Sequence, residues 1–205
     1  KEKRNIVSLL LVLIVIIDLI WIGFQTKKSN IEKEIITKPQ NTFETLQLAE
    51  NTFKEGSYVE AIRMYKKILE IEPDNYGAYI NLGQSYLHLG IYDDAFETFE
   101  KTLSLGYYDF RTYYGLGLTY YWMEDYNNAY INLKKAYQLN PNNNELISYV
   151  INTYNAIGLY DEAINLAKNG LENDPNNPSH YRKLSLSYFL KNGKNYRILK
   201  GNEDR

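Results

Sequence analysis

Two histidines, His88 and His180, are the chain's imidazoles, and neither has a metal-ligand partner adjacent in the sequence. Cysteine is absent, which removes disulfides, thiolate nucleophiles, Cys-based metal sites and lipid attachment through sulfur. It leaves the compartment open, because a cysteine-free chain suits oxidising and reducing surroundings alike. The glycines do not gather into a phosphate-cradling loop. The adjacent carboxylates Asp93-Asp94 and Asp161-Glu162 lie where a turn gives way to a helix, and there carboxylates favour the positive end of the helix dipole. These patterns predict no catalysis, no metal and no cofactor; an enzyme reading would rest on His88 alone. The net charge of −2 supplies no global positive field for nucleic acid or an anionic membrane surface. What remains is contact chemistry, carried by an unusual stock of rings: 21 Tyr against 7 Phe and 2 Trp.

The elements that must position those rings begin after an apolar run. Residues 6–24 are nearly all apolar, with Ser8, Asp18 and Gly23 as exceptions. As a helix rising ~1.5 Å per residue this run would span roughly 28 Å, close to the ~30 Å hydrocarbon core of a bilayer. Lys1, Lys3 and Arg4 flank one end and Lys27 and Lys28 the other, and Trp21 sits where an interfacial ring belongs. A cleaved signal peptide would have a shorter apolar core and small residues at its cut site, and 21–26 offer no such pattern. The expectation is therefore one uncleaved transmembrane helix, 6–24, after a short basic tail, 1–5. A polar juxtamembrane linker, 25–41, follows, and Pro39 stops any helix that runs on from the anchor. Basic residues on the two sides nearly balance. Because a short first tail usually stays in the cytoplasm, the expected orientation places the remainder outside it, with the opposite orientation still open.

From residue 42 the sequence repeats with a period of 34: Ala61, Ala95, Ala129 and Ala163 form one column, and Tyr58, Tyr92, Tyr126 and Tyr160 another. Gly56, Gly90 and Gly158 form a third, with Glu124 in the remaining slot, and Pro73, Pro141 and Pro175 a fourth, with Tyr107 in the remaining slot. Apolar residues recur at three- and four-residue spacing on both sides of the glycine column, which predicts two antiparallel helices per unit. No unit can bury its apolar faces alone; stacked units share a continuous core. Most tyrosines are thereby expected to be scaffold, with the ring buried and the hydroxyl at a wet edge.

Tyr79, Leu82, Gly83 and Tyr86 followed by Ala95 and Phe99, and Tyr113, Leu116, Gly117 and Tyr120 followed by Ala129 and Leu133, resemble the tetratricopeptide repeat in type and spacing. The units would be 42–75, 76–109, 110–143 and 144–177. A partial fifth unit with a cap or tail, 178–205, starts from Pro178, Tyr181, Leu184 and Tyr188 and loses the pattern at Arg197. The resemblance implies an all-α, right-handed superhelical solenoid whose first helices line a concave groove for peptide or helical segments of other proteins. Carrying the groove slots across gives Gln84, Leu87 and His88 in unit two, Arg111, Tyr114, Leu118, Tyr121 and Trp122 in unit three, and Asn152 and Asn155 in unit four. Aromatics and Arg dominate binding hot spots, and amides can pair with a peptide backbone. The alternative is that Tyr114 and Trp122 only fill the contact between neighbouring helices.

One specialised groove of this family, the two-carboxylate clamp, is not expected in units one to three. Leu46, Glu50 and Gly115 replace a Lys, an Asn and an Arg, although Asn81 and Arg111 match. At the other end Leu184, Leu186, Phe189 and Leu190 leave more apolar surface than a solvating cap should. Either Tyr196, Ile198 and Leu199 fold back over it, or it is an edge for a partner or a second copy of the chain. The reading is a membrane-anchored scaffold that binds other proteins, with self-association or a regulatory part of an enzyme as alternatives.

Overall fold

The computed structural model describes residues 16–27 and 42–203, with side chains described as far as residue 193. The chain divides into two compact units, residues 1–47 and 48–205. In the first, residues 16–27 form a helix, α1, whose apolar side chains, among them Ile17, Ile20, Trp21 and Phe24, are exposed. Among the described residues no helix is long and apolar enough to cross a membrane. Residues 6–15 of the expected 6–24 span, and the linker from 28 to 41, lie outside the described residues.

All further described elements are helices: α2 (Thr42–Lys54), α3 (Tyr58–Ile71), α4 (Tyr76–His88), α5 (Tyr92–Ser104), α6 (Phe110–Trp122), α7 (Tyr126–Leu139), α8 (Asn144–Ala156), α9 (Tyr160–Asn173) and α10 (Pro178–Glu203). From α3 onward each packs on the next in sequence, and α4 also touches α6, α6 touches α8, and α8 touches α10. This nearest-neighbour stacking is the architecture of a helical repeat solenoid.

The repeat columns have physical duties. Gly56, Gly90 and Gly158 end the first helix of their units at φ 78°, 71° and 82°, the left-handed region that glycine enters without a Cβ penalty. The residue after each then donates its N–H five positions back: Ser57 to the Thr52 carbonyl, Ile91 to Tyr86 and Leu159 to Tyr154, at 3.1, 3.0 and 2.8 Å. Glu124 makes the same turn at φ 62° with a side chain, and Asp125 closes it onto Tyr120 at 2.9 Å. Second helices α3, α7 and α9 stop just before Pro73, Pro141 and Pro175, which cannot continue them. Where that column holds Tyr107, α5 is ended by Gly106 at φ 87°, with the Tyr107 N–H closing onto the Thr102 carbonyl at 3.1 Å. Asn75, Asp109, Asp125 and Asn143 cap α4, α6, α7 and α8, each accepting from a backbone N–H in the first turn.

The alanine column is fully buried at all four positions, and the four column tyrosines are half-buried. The glycines inside the first helices are small because rings and branched chains lie on them. A Cβ on Gly83 would come within 2.6 Å of the Phe99 ring, one on Gly115 within 2.4 Å of the same ring, and one on Gly117 within 2.6 Å of the Leu133 side chain. Phe99, fully buried, is thus held between α4 and α6.

Of the two alternatives for the end of the chain, a folded-back segment or an apolar edge left open, the described backbone shows no fold-back. α10 runs unbroken from Pro178 to Glu203. The turn column falls on Asn192, which stays helical, and among the described residues no left-handed residue occurs there. Without that turn the fifth unit has no second helix.

Candidate partner-binding groove

The period of 34 returns equivalent positions to the same face, so α4, α6 and α8 present one side chain after another along a shared surface. Two cavities lie along it. The first, about 570 Å³, is walled by Gln84, Leu87 and His88 of α4, Tyr114, Leu118 and Trp122 of α6, and Glu145 and Tyr149 of α8, and reaches Phe53 and Tyr92. The second, about 440 Å³, lies between α6, α8 and α10; Tyr121, Trp122, Tyr149 and Asn152 line it, together with Ser179, Arg182, Lys183 and Leu186. Trp122 and Tyr149 belong to both.

Within these walls the rings divide by duty. Tyr121 is the centre of an internal network, edge-on to Trp122 at 5.5 Å, Tyr126 at 5.6 Å and Tyr149 at 5.3 Å, and Tyr149 meets Tyr114 at 6.2 Å. Such pairs stabilise the helix contacts by about 0.5–1.5 kcal/mol each beyond area burial. Tyr114 and Tyr121 therefore do fill the space between neighbouring helices. Trp122, 49% exposed, has a ring available to a partner. His88 stacks on Tyr58 with centroids 4.4 Å apart and planes 3° from parallel, and meets Phe53 edge-on at 5.5 Å. It forms the end wall of the first cavity.

Electrostatics follow burial. Desolvation first, then the charge of Glu145, pushes the Tyr114 phenol up, and desolvation pushes Tyr121 up against the opposing pull of the Asn152 amide. Both hydroxyls stay protonated at neutral pH. The first cavity carries the carboxylate of Glu145, and the second the cations Arg182 and Lys183. Among the described residues no group of three His, Cys, Asp or Glu is arranged to hold a metal ion.

Two of the residues carried across from the repeat slots line neither cavity. Asn155 is 7% exposed and donates its amide N–H to Ser187 Oγ at 2.9 Å, so it is a core contact between α8 and α10. The first helix of the fifth unit, at the start of α10, covers this slot through Ser187. Arg111 lies over the Tyr76 ring, 4.8 Å from its centroid, and pairs with Asp109 at 3.4 Å. Its guanidinium is committed to its own helix start. Conversely, Ser179 and Arg182 escaped the sequence reading, and Leu186 entered it only as part of the apolar C-terminal edge, although all three occupy groove slots counted from Pro178. Extending the spacing one unit further finds them; Tyr149 and Lys183, one position off those slots, are found only through packing.

The fold and the face lined by first helices define a helical repeat protein. The tetratricopeptide repeat family model matches residues 52–105 and 123–185, more than half of the chain, and the chain belongs to that family. Among curated proteins no match is found. Solved structures of similar fold include YrrB, a TPR protein with an unusual peptide-binding site, at 24% identity and TM-score 0.65 over 79% of this chain and 84% of that one. MamA is similar at 25% identity and TM-score 0.66 over 77% and 86% of the two chains. TTC0263, a thermophilic TPR protein of Thermus thermophilus, is similar at 20% identity and TM-score 0.62 over 84% and 95%.

Proposed function

We propose that this chain is a membrane-anchored scaffold that holds a peptide or helical segment of a partner protein along the face built by α4, α6 and α8. The observation that carries the reading is the half-exposed Trp122 on the wall shared by two adjoining cavities. A large ring that is neither buried in the core nor isolated on the surface is the kind of anchor that binding hot spots use. The peptide-binding site of the similarly folded YrrB is in keeping with it. The anchor would be the apolar run 6–24, and the exposed apolar side chains of α1 support it, because a helix of that composition needs a non-aqueous neighbour. The repeat units would then face the extracytoplasmic side.

The test is photo-crosslinking of the full chain in its own membrane, with benzoyl-phenylalanine at position 122 or, as control, at the exposed position 131 on α7. The groove reading predicts adducts from position 122 that position 131 does not give, and that excess wild-type chain removes while a Trp122→Ala chain does not. Identical adducts from both positions would sink it. A second reading, self-association, is favoured by the exposed Tyr181, Leu186, Tyr188 and Phe189 on α10. It predicts concentration-dependent sedimentation that Phe189→Asp abolishes.

A further inference from the structure

The second cavity differs from the first in the sign of its charge. Arg182 and Lys183 enter it from α10, Asn152 and Ser148 from α8, and Ser179 closes the side, its hydroxyl 3.4 Å from that of Ser148. No carboxylate is among its lining residues. Lys183 donates to Asn152 Oδ1 at 2.6 Å, and among the described residues no ion pair joins it to an acid. Burial, then the charge of Arg182, pulls its ammonium below the ordinary lysine range. A half-buried ammonium held by a neutral amide beside a guanidinium is an unbalanced charge in a partly dry site, and an arriving carboxylate relieves that imbalance. Trp122 continues the wall into the first cavity, so a segment crossing it meets an apolar surface and the cations side by side.

We infer that this cavity reads an acidic side chain: the partner segment that occupies the groove carries an Asp or Glu over Arg182 and Lys183, next to an apolar residue against Trp122. The inference rests on the groove reading above and names the chemistry of its partner. Hydrogen bonds to a charged acceptor are about twice as strong as neutral ones, so the carboxylate is expected to matter about tenfold in affinity.

The experiment is selection of a random 12-residue peptide library, displayed with both ends blocked, on the full chain. Recovered sequences are then titrated as synthetic peptides beside their Glu→Gln or Asp→Asn counterparts. The expected result is enrichment of an acid at one position beside an apolar residue, with about tenfold weaker binding of the amide counterpart. In Lys183→Met, which keeps the packing of the stem, and in Arg182→Gln, whose side chain is exposed and whose folding is spared, the acid and amide peptides should approach equal affinity. Peptides that engage Trp122 with no acidic preference, or a preference that survives both substitutions, overturn this inference and leave the groove reading standing. A library that yields no peptide engaging Trp122 overturns the groove reading, and this inference with it.

Discussion

The middle of the solenoid and its C-terminal end are held together by different chemistry. In the middle, α4 to α7 meet through rings and branched chains seated on glycine: Phe99 between Gly83 and Gly115, Leu133 on Gly117. At the end, α8 and α9 keep an apolar core, with Leu146, Val150, Ile151, Ala163 and Ala167 buried and Leu184 of α10 packed on it, but α10 adds polar contacts: Asn155 with Ser187, Lys183 with Asn152, and His180 against Gly170. His180 is 1% exposed, and among the described residues both its ring nitrogens lack a partner, as does Asn155 Oδ1. A buried polar atom left unpaired costs about 1–3 kcal/mol, and the middle has one as well, the Tyr114 hydroxyl. The middle places Trp122 on the wall of both cavities, and the end places Arg182, Lys183 and Asn152 in the second; the proposed partner segment would meet both.

The comparison breaks most readily at Phe99. Phe99→Ala should cost about 3–5 kcal/mol, the range for emptying a buried ring position, and Gly115→Ala about 1–3 kcal/mol by driving a Cβ into that ring. Denaturant melts of the two and of their combination should show strong non-additivity, because removing the ring removes the clash. Independent, additive effects would mean that the ring is not seated on Gly115. Asn155→Ala should cost less, about 1–2 kcal/mol, and the loss should concentrate in faster hydrogen exchange of α10 while α4 to α7 keep their protection. A uniform loss across the chain would erase the distinction between the two regions.

A gain is expected at the turn between α6 and α7. Glu124→Gly relieves a left-handed residue that carries a Cβ, and thermal melts should register about 0.5–1 kcal/mol of added stability. A fall in stability would show that the Glu124 side chain contributes more than its backbone costs. The smallest effect concerns Asp109, the polar exception in the middle. Burial alone would raise its carboxyl, but the hydrogen bond from the Tyr76 hydroxyl, the Thr112 N–H, the charge of Arg111 and the Thr112 hydroxyl together hold it below the ordinary value. A depressed carboxyl contributes stability that is present above its unfolded pKa of about 3.8 and is lost as pH falls through the lower folded value. Because the side chain is part-exposed, solvent screening keeps the contribution small. Acid melts of wild type and Asp109→Asn should converge once the pH lies below the depressed folded value and separate above about pH 4, with the wild type more stable. Curves that run parallel throughout would contradict the assignment.

Much of the fold was legible because one period of 34 places a buried alanine, a left-handed glycine and a helix-stopping proline in fixed columns, and each column has a single physical duty. Even the exceptions keep the duty: Glu124 still turns left-handed, and Gly106 takes over where Tyr107 displaces proline. The site was less legible, since slot counting tells which face a residue occupies and not what covers that face. Asn155 sits in a groove slot and is buried, because Ser187 of the fifth unit's first helix packs over it. Arg111 has the residue type of a hot spot and is spent on Tyr76 and Asp109. Arg182 and Lys183 lie in the partial fifth unit, whose groove slots the sequence reading did not count, and the fold brings them into the cavity that Trp122 also lines.

If partners occupy the surface around Trp122, the protein carries its own reporter of their binding. Trp21 and Trp122 are its two tryptophans, so a Trp21→Phe chain leaves Trp122 as the sole indole. Titrating that chain with the selected peptides, the emission of Trp122 should shift to the blue and saturate, with a midpoint equal to the binding constant measured by calorimetry. Full calorimetric binding with an unchanged Trp122 spectrum would place the partner elsewhere and contradict the account.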